Sequence, residues 1–205
     1  MADVQVARRR AFDVWNEVPL VPQTTGMSCW AASAAMLIGW RESIPVDPEE
    51  VAGGIGRWQD FKDGLHPTDV DELARTWELV MDARVQWTPD ALRDVLERFG
   101  PVWLGEASPA LHSIVVAGMH GDGSADGTWV RINDPWPVGR GERYTISWRQ
   151  LMENFHAATE LAGVHAQVLH TVGRGREPGG CIGTRNAGKS VARGPPHQAV
   201  RGRRR

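Results

Sequence analysis

Residues 29–40, CWAASAAMLIGW, put apolar side chains on nearly every side of a helix. A helix without a polar face cannot lie on a surface; other elements have to surround it. Thr25, Gly26 and Ser28 just before it supply turn and N-cap chemistry, and Pro45 and Pro48 close the region behind it. The rest of the chain must therefore provide enough apolar surface to enclose this one helix. With 205 residues, 41% of them hydrophobic, there is material for one such core.

The partners fall into two groups. Residues 49–57 predict a short helix. In 66–79, HPTDVDELARTWEL, the apolar positions Val70, Leu73, Ala74 and Trp77 recur at helical spacing. In 88–99, TPDALRDVLERF, Thr88 caps, Pro89 opens the first turn, and Leu92, Val95, Leu96 and Phe99 form a stripe that Gly100 ends. After Gly100 the pattern changes to β-branched and aromatic runs at 101–106, 112–119, 128–134 and 143–148, with 120–127 reading as a hairpin loop. Residues 150–158 return to helix, and 163–170 read as an edge strand. Helices first and antiparallel strands after make the fold class α+β. Of the ten tryptophans, Trp40, Trp77, Trp87, Trp103, Trp129 and Trp148 read as core.

The net charge of −2 hides a division. Residues 171–205 carry eight arginines, Lys189 and a single acid, for a net of +8, while residues 1–170 carry a net of −10. The stretch 171–205 is rich in Gly, Arg and Pro and too poor in aliphatic residues to build a core, so it reads as a disordered tail. It contains Cys181, an ordinary exposed thiol on this reading. Such a tail can act as an electrostatic arm for nucleic acid or anionic lipid, but no aromatics interleave with its arginines to stack on bases. Residues 1–16, with Arg8-Arg9-Arg10, read as an N-terminal arm. No run approaches the ~18 apolar residues of a membrane span, and the start has no apolar region of a secretory signal. That fits the cytoplasm or export by a non-Sec route. No phosphate-cradling glycine motif and no HExxH occurs, and the two cysteines are too far apart for a cysteine-based zinc site. No metal or other cofactor is called for. His66, His120, His156, His165 and His170 do not assemble into a second site.

One group of residues carries chemistry. Cys29 stands at the predicted start of a helix, where free backbone N–H groups and the helix dipole stabilise a thiolate. The competing reading of Cys29 is a small buried hydrophobe. Gln23, six residues upstream in a turn-rich loop, can aim an amide at the same space as the Cys29 N–H, and two such donors make an oxyanion hole. His112 opens the most apolar strand of the second half and is a candidate base and acid. Asp134 ends the next strand; if 112–119 and 128–134 form a hairpin, His112 and Asp134 meet at its open end. There a carboxylate orients the imidazole. Asn133, adjacent to Asp134, faces the other way by strand alternation.

The stretch Val21-Pro22-Gln23-Thr24-Thr25-Gly26-Met27-Ser28-Cys29-Trp30-Ala31-Ala32 resembles the nucleophile segment of papain-like cysteine peptidases. It looks most like the small bacterial branch typified by AvrRpt2 and is also similar to C39-type peptidases. Leu111–Met119 and Ile132-Asn133-Asp134-Pro135 look like that family's histidine and acid strands. The resemblance covers about residues 18–160. It implies a papain-like peptidase domain over 17–170, with the nucleophile on N-terminal helices and the His and Asp on a C-terminal antiparallel sheet. It implies Cys29 as nucleophile, His112 as base and acid, Asp134 as its orienter and Gln23 in the oxyanion hole. Trp30 is expected near the site, and Trp136 is placed to shield the His112–Asp134 pair. Many papain-like enzymes carry Asn where Asp134 stands.

The reaction expected is hydrolysis of a peptide or protein substrate by a monomeric enzyme without cofactor. The alternatives are a transferase, deamidase or isopeptidase using the same thioester, and a non-enzymatic binding module on a relic peptidase fold. Nucleic-acid binding would rest on the basic tail alone.

Overall fold

The computed structural model describes residues 10–84, 86–107, 111–162 and 167–173. The elements run β1 (Phe12–Trp15), α1 (Cys29–Glu42), α2 (Pro48–Gly54), α3 (Asp60–Asp63), a 3₁₀ turn (Pro67–Asp69), α4 (Val70–Thr76), β2 (Val80–Met81), α5 (Pro89–Arg98), β3 (Val102–Ala107), β4 (Leu111–Gly121), β5 (Thr128–Asp134), β6 (Glu142–Ser147), α6 (Trp148–Ala162) and β7 (Val168–His170). Apart from β1 and the short β2, helices lead and antiparallel strands follow, as the patterning requires.

The sheet order is β2-β7-β3-β4-β5-β6, every pairing antiparallel. β1 joins the same edge of β4 that β3 occupies. β3 pairs with Leu111–Val116, and β1 takes over at Gly118–Gly121. Residues 12–15 thus belong to the sheet, whereas the sequence assigns 1–16 to an arm. The four-residue Phe-Asp-Val-Trp run is too short to register beside three arginines, but a sheet edge needs only a few backbone groups. Gly118 allows the approach: a Cβ there would collide with the Val14 carbonyl. At the other end Thr171 is fully buried and donates its hydroxyl to the Phe99 carbonyl at 2.5 Å. The folded body therefore runs past residue 170. The rest of the expected basic tail, with Cys181, lies outside the described residues, as do Arg8 and Arg9.

One cluster of buried side chains lies on each face of the sheet. On one face Trp103, Val115, Ala117 and Leu169 pack against α1, α2 and α4. On the other, Val102, Leu104, Ile114, Val116 and Ile132 pack against α5 and α6. The enclosed helix is α1, in which every residue from Trp30 to Gly39 is buried.

Several boundaries move. The helix expected over 66–79 begins as the 3₁₀ turn and ends at Thr76, because Glu78 takes a positive φ of 52°. α3 and β2 are too short for periodicity to reveal. The expected edge strand narrows to Val168–His170, with 163–166 outside the described residues. Trp129 is not core: it is 45% exposed. Along β5 the inward positions are Thr128, Val130 and Ile132, so alternation turns Trp129 outward.

Candidate active site

Cys29 is the first residue of α1. Ser28 occupies the N-cap, but its hydroxyl bonds none of the helix N–H groups. It turns back and accepts the Thr24 and Thr25 backbone N–H groups at 3.2 and 3.0 Å. The capping chemistry expected here is spent on the preceding loop instead. That leaves the first N–H groups of α1 uncapped beside Cys29. The same loop is anchored to α3, where the Thr25 hydroxyl donates to the Phe61 carbonyl at 2.7 Å.

His112 comes from the start of β4 and Asp134 from the end of β5. The register pairs Val115 with Asn133, so the His112 and Asp134 side chains share one face at the end of the sheet. His112 Nε2 and Asp134 Oδ1 are 2.7 Å apart, with both side chains largely buried. Cys29 lines the same cavity as His112 and interacts with its ring. Burial disfavours the charged imidazole. The hydrogen bonds and charges of Asp134 and Cys29 override it and raise His112 from 6.5 to about 10. The ring is thus placed to hold a positive charge beside the Asp134 carboxyl group.

Asp134 is itself tied down. Its Oδ1 also accepts the Trp136 backbone N–H at 2.8 Å, and its Oδ2 accepts the Tyr144 hydroxyl at 3.1 Å. Burial, then the charges of Asp134 and Glu106, hold the Tyr144 phenol above its ordinary range, so it remains a donor. Asn133 points the other way, as alternation requires. It donates to the Val18 carbonyl and accepts from Arg143. Trp136 serves Asp134 through its backbone, and its side chain is half exposed. Trp30 is buried; its indole donates to the Asp60 carbonyl at 3.2 Å.

Gln23 is 1% exposed. Its backbone is clamped between the Pro135 carbonyl and the Gly139 N–H, which ties the loop before Cys29 to the turn after Asp134. Its amide donates to the Thr25 carbonyl at 2.7 Å, and its Oε1 is buried without a partner. The structure therefore brings Cys29, His112 and Asp134 into one chain of contacts. Gln23 sits in the same loop, but not among the residues that line the cavity beside Cys29.

That cavity has a volume of about 290 Å³ and reaches from Cys29 and His112 past Trp30 and Trp103 to Leu65 and Pro67. Two residues near the site were not singled out from the sequence. Tyr144 is one. Glu106 is the other: it pairs with His112 across β3 and β4, is 3% exposed, and lines the cavity. Both depend on strand register, which spacing alone does not reveal.

A family model described as papain-like cysteine protease AvrRpt2 matches residues 9–155. No curated protein matches. Solved structures that share the fold include two peptidases. One is a double glycine motif protease from an AMS/PCAT transporter in complex with the leader peptide. It is 21% identical, covers 78% of this chain and 98% of its own, and has a TM-score of 0.51. The other is the peptidase domain of Streptococcus ComA, a bifunctional ABC transporter involved in a quorum-sensing pathway. It is 14% identical, covers 76% of this chain and 98% of its own, and has a TM-score of 0.50.

Proposed function

We propose that this chain, which belongs to the AvrRpt2 family of papain-like cysteine proteases, hydrolyses peptide bonds with Cys29, His112 and Asp134 as its catalytic triad. The observation that carries the reading is the His112 ring, held by Asp134 through Nε2 at 2.7 Å and lining the same cavity as Cys29.

In this reading the proton rests on His112 and the Cys29 sulfur is a thiolate. The thiolate attacks the scissile carbonyl carbon, forming the S–C bond and pushing the π electrons onto oxygen. The Cys29 backbone N–H at the uncapped start of α1 is one donor to that oxyanion. The second donor is the Gln23 amide, which already gives one N–H to the Thr25 carbonyl. As the tetrahedral intermediate collapses, the C–N bond breaks and His112 gives its proton to the departing amine. His112, now neutral, takes a proton from water, whose oxygen attacks the thioester. The acid product leaves and the thiolate–imidazolium pair is restored. Asp134 keeps the ring oriented and favours its charged form in both halves.

The fold neighbour bound to a leader peptide favours a peptide or protein as substrate. The test is product analysis. Peptide mixtures are incubated with the wild type and with Cys29→Ala, and products are weighed by mass spectrometry. Hydrolysis predicts paired fragments whose masses sum to the parent plus one water, absent with Cys29→Ala. A parent heavier by one mass unit would signal deamidation, and a joined product would signal transfer. Either would replace this reading.

A further inference from the structure

The cavity beside Cys29 is walled largely by apolar side chains, among them Trp30, Leu65, Trp103 and Leu111. Titratable groups interrupt that wall: Asp63, His66, Glu106 and His112. Glu106 is 3% exposed, yet it lines the cavity. Among the described residues its hydrogen-bond partner is the Asn154 side-chain amide, which donates to Oε2 at 3.0 Å. A carboxyl buried against apolar surface is costly unless donors satisfy both oxygens. Burial holds this one above the usual carboxylate range, with Asn154 and His112 only partly opposing it. The triad does not use it, since His112 Nε2 is already paired with Asp134 Oδ1.

We infer that this cavity is a specificity pocket for a basic substrate side chain, with Glu106 accepting the cationic tip. The inference rests on the peptidase reading of Cys29. A lysine or arginine fits what the cavity offers. Its aliphatic stem runs along the apolar walls, and its terminal N–H groups reach an acceptor at depth. Asp63, which also lines the cavity, adds negative charge; His66 stands beside it. A cavity of about 290 Å³ lies at the small end of ligand pockets, a size for one side chain rather than a folded segment.

The test uses peptidyl acyloxymethyl ketones, which alkylate a catalytic thiol and release a carboxylate. Lysine, norleucine or glutamate is placed in turn at each of the three positions before the ketone, and the second-order rate of Cys29 labelling is measured. At one position lysine should exceed norleucine by about tenfold or more, the worth of a hydrogen bond to a charged group, and glutamate should be slowest. In Glu106→Gln the lysine-to-norleucine ratio at that position should fall to within about threefold of unity. Norleucine matching lysine at every position of the wild type overturns the pocket assignment but leaves the peptidase reading standing. A lysine preference that survives in Glu106→Gln overturns the role of Glu106. If no probe labels Cys29 faster than in His112→Ala, the peptidase reading fails and takes the pocket with it.

Discussion

Replacing Asp134 by Asn removes a charge while keeping the shape of its hydrogen bonds. The Asn carbonyl can sit where Oδ1 now accepts His112 Nε2 at 2.7 Å and the Trp136 N–H at 2.8 Å. Its amide then faces Tyr144, whose hydroxyl can rotate to accept. The ring stays oriented, and what is lost is the preference for a charged ring. A hydrogen bond between charged groups contributes about 1.5–3 kcal/mol, against ~1 for a neutral one. The difference of about 1–2 kcal/mol corresponds to roughly one pH unit or a little more. His112, raised to about 10 in the wild type, should therefore titrate near ~9 in Asp134→Asn. The sign follows from linkage: the folded state holds the proton more tightly than the unfolded chain. The stabilisation is thus complete below pH 6.5 and is lost as pH rises through about 10. Histidine ring NMR across pH 6–11, assigned with His112→Gln, reads the midpoint. The same midpoint in both proteins would refute the idea that the Asp134 charge holds the proton on His112.

Other outcomes follow from named contacts. Tyr144→Phe leaves a carboxylate oxygen of the buried Asp134 without its donor and should cost about 1–3 kcal/mol in urea denaturation. Ser28→Ala frees the Thr24 and Thr25 N–H groups; it should lower stability by about 1–2 kcal/mol and slow substrate turnover, because the nucleophile loop loses its hub. Gly118→Ala forces a methyl group into the Val14 carbonyl and should detach β1; faster amide exchange at residues 12–15, with the α1 amides unchanged, would show it.

Much of this arrangement can be read from residue order because it rests on local rules. The apolar run 29–40 had to be central, and α1 is enclosed. Strand alternation separates Asn133 from Asp134, and the structure sends them to opposite faces. What could not be read depends on register between distant segments. Glu106 matters because β3 pairs it with His112, and Tyr144 because β6 carries its hydroxyl to Asp134. Neither contact leaves a trace in spacing. Competing uses of one side chain were equally hidden. Ser28 looks like a helix cap, yet the loop's N–H groups claim its hydroxyl first. Trp129 shows a third limit: a large ring suggests burial, but its parity on β5 decides its side.

The central claim is that His112 makes Cys29 a nucleophile, and thiol alkylation measures it most directly. Wild type and His112→Ala are treated with iodoacetamide at pH 6.5, and the modified residue is mapped by mass spectrometry with Cys181 as internal reference. An imidazolium partner predicts that Cys29 in the wild type reacts at least about tenfold faster than in His112→Ala, and faster than Cys181. Equal rates for Cys29 in the two proteins would contradict it.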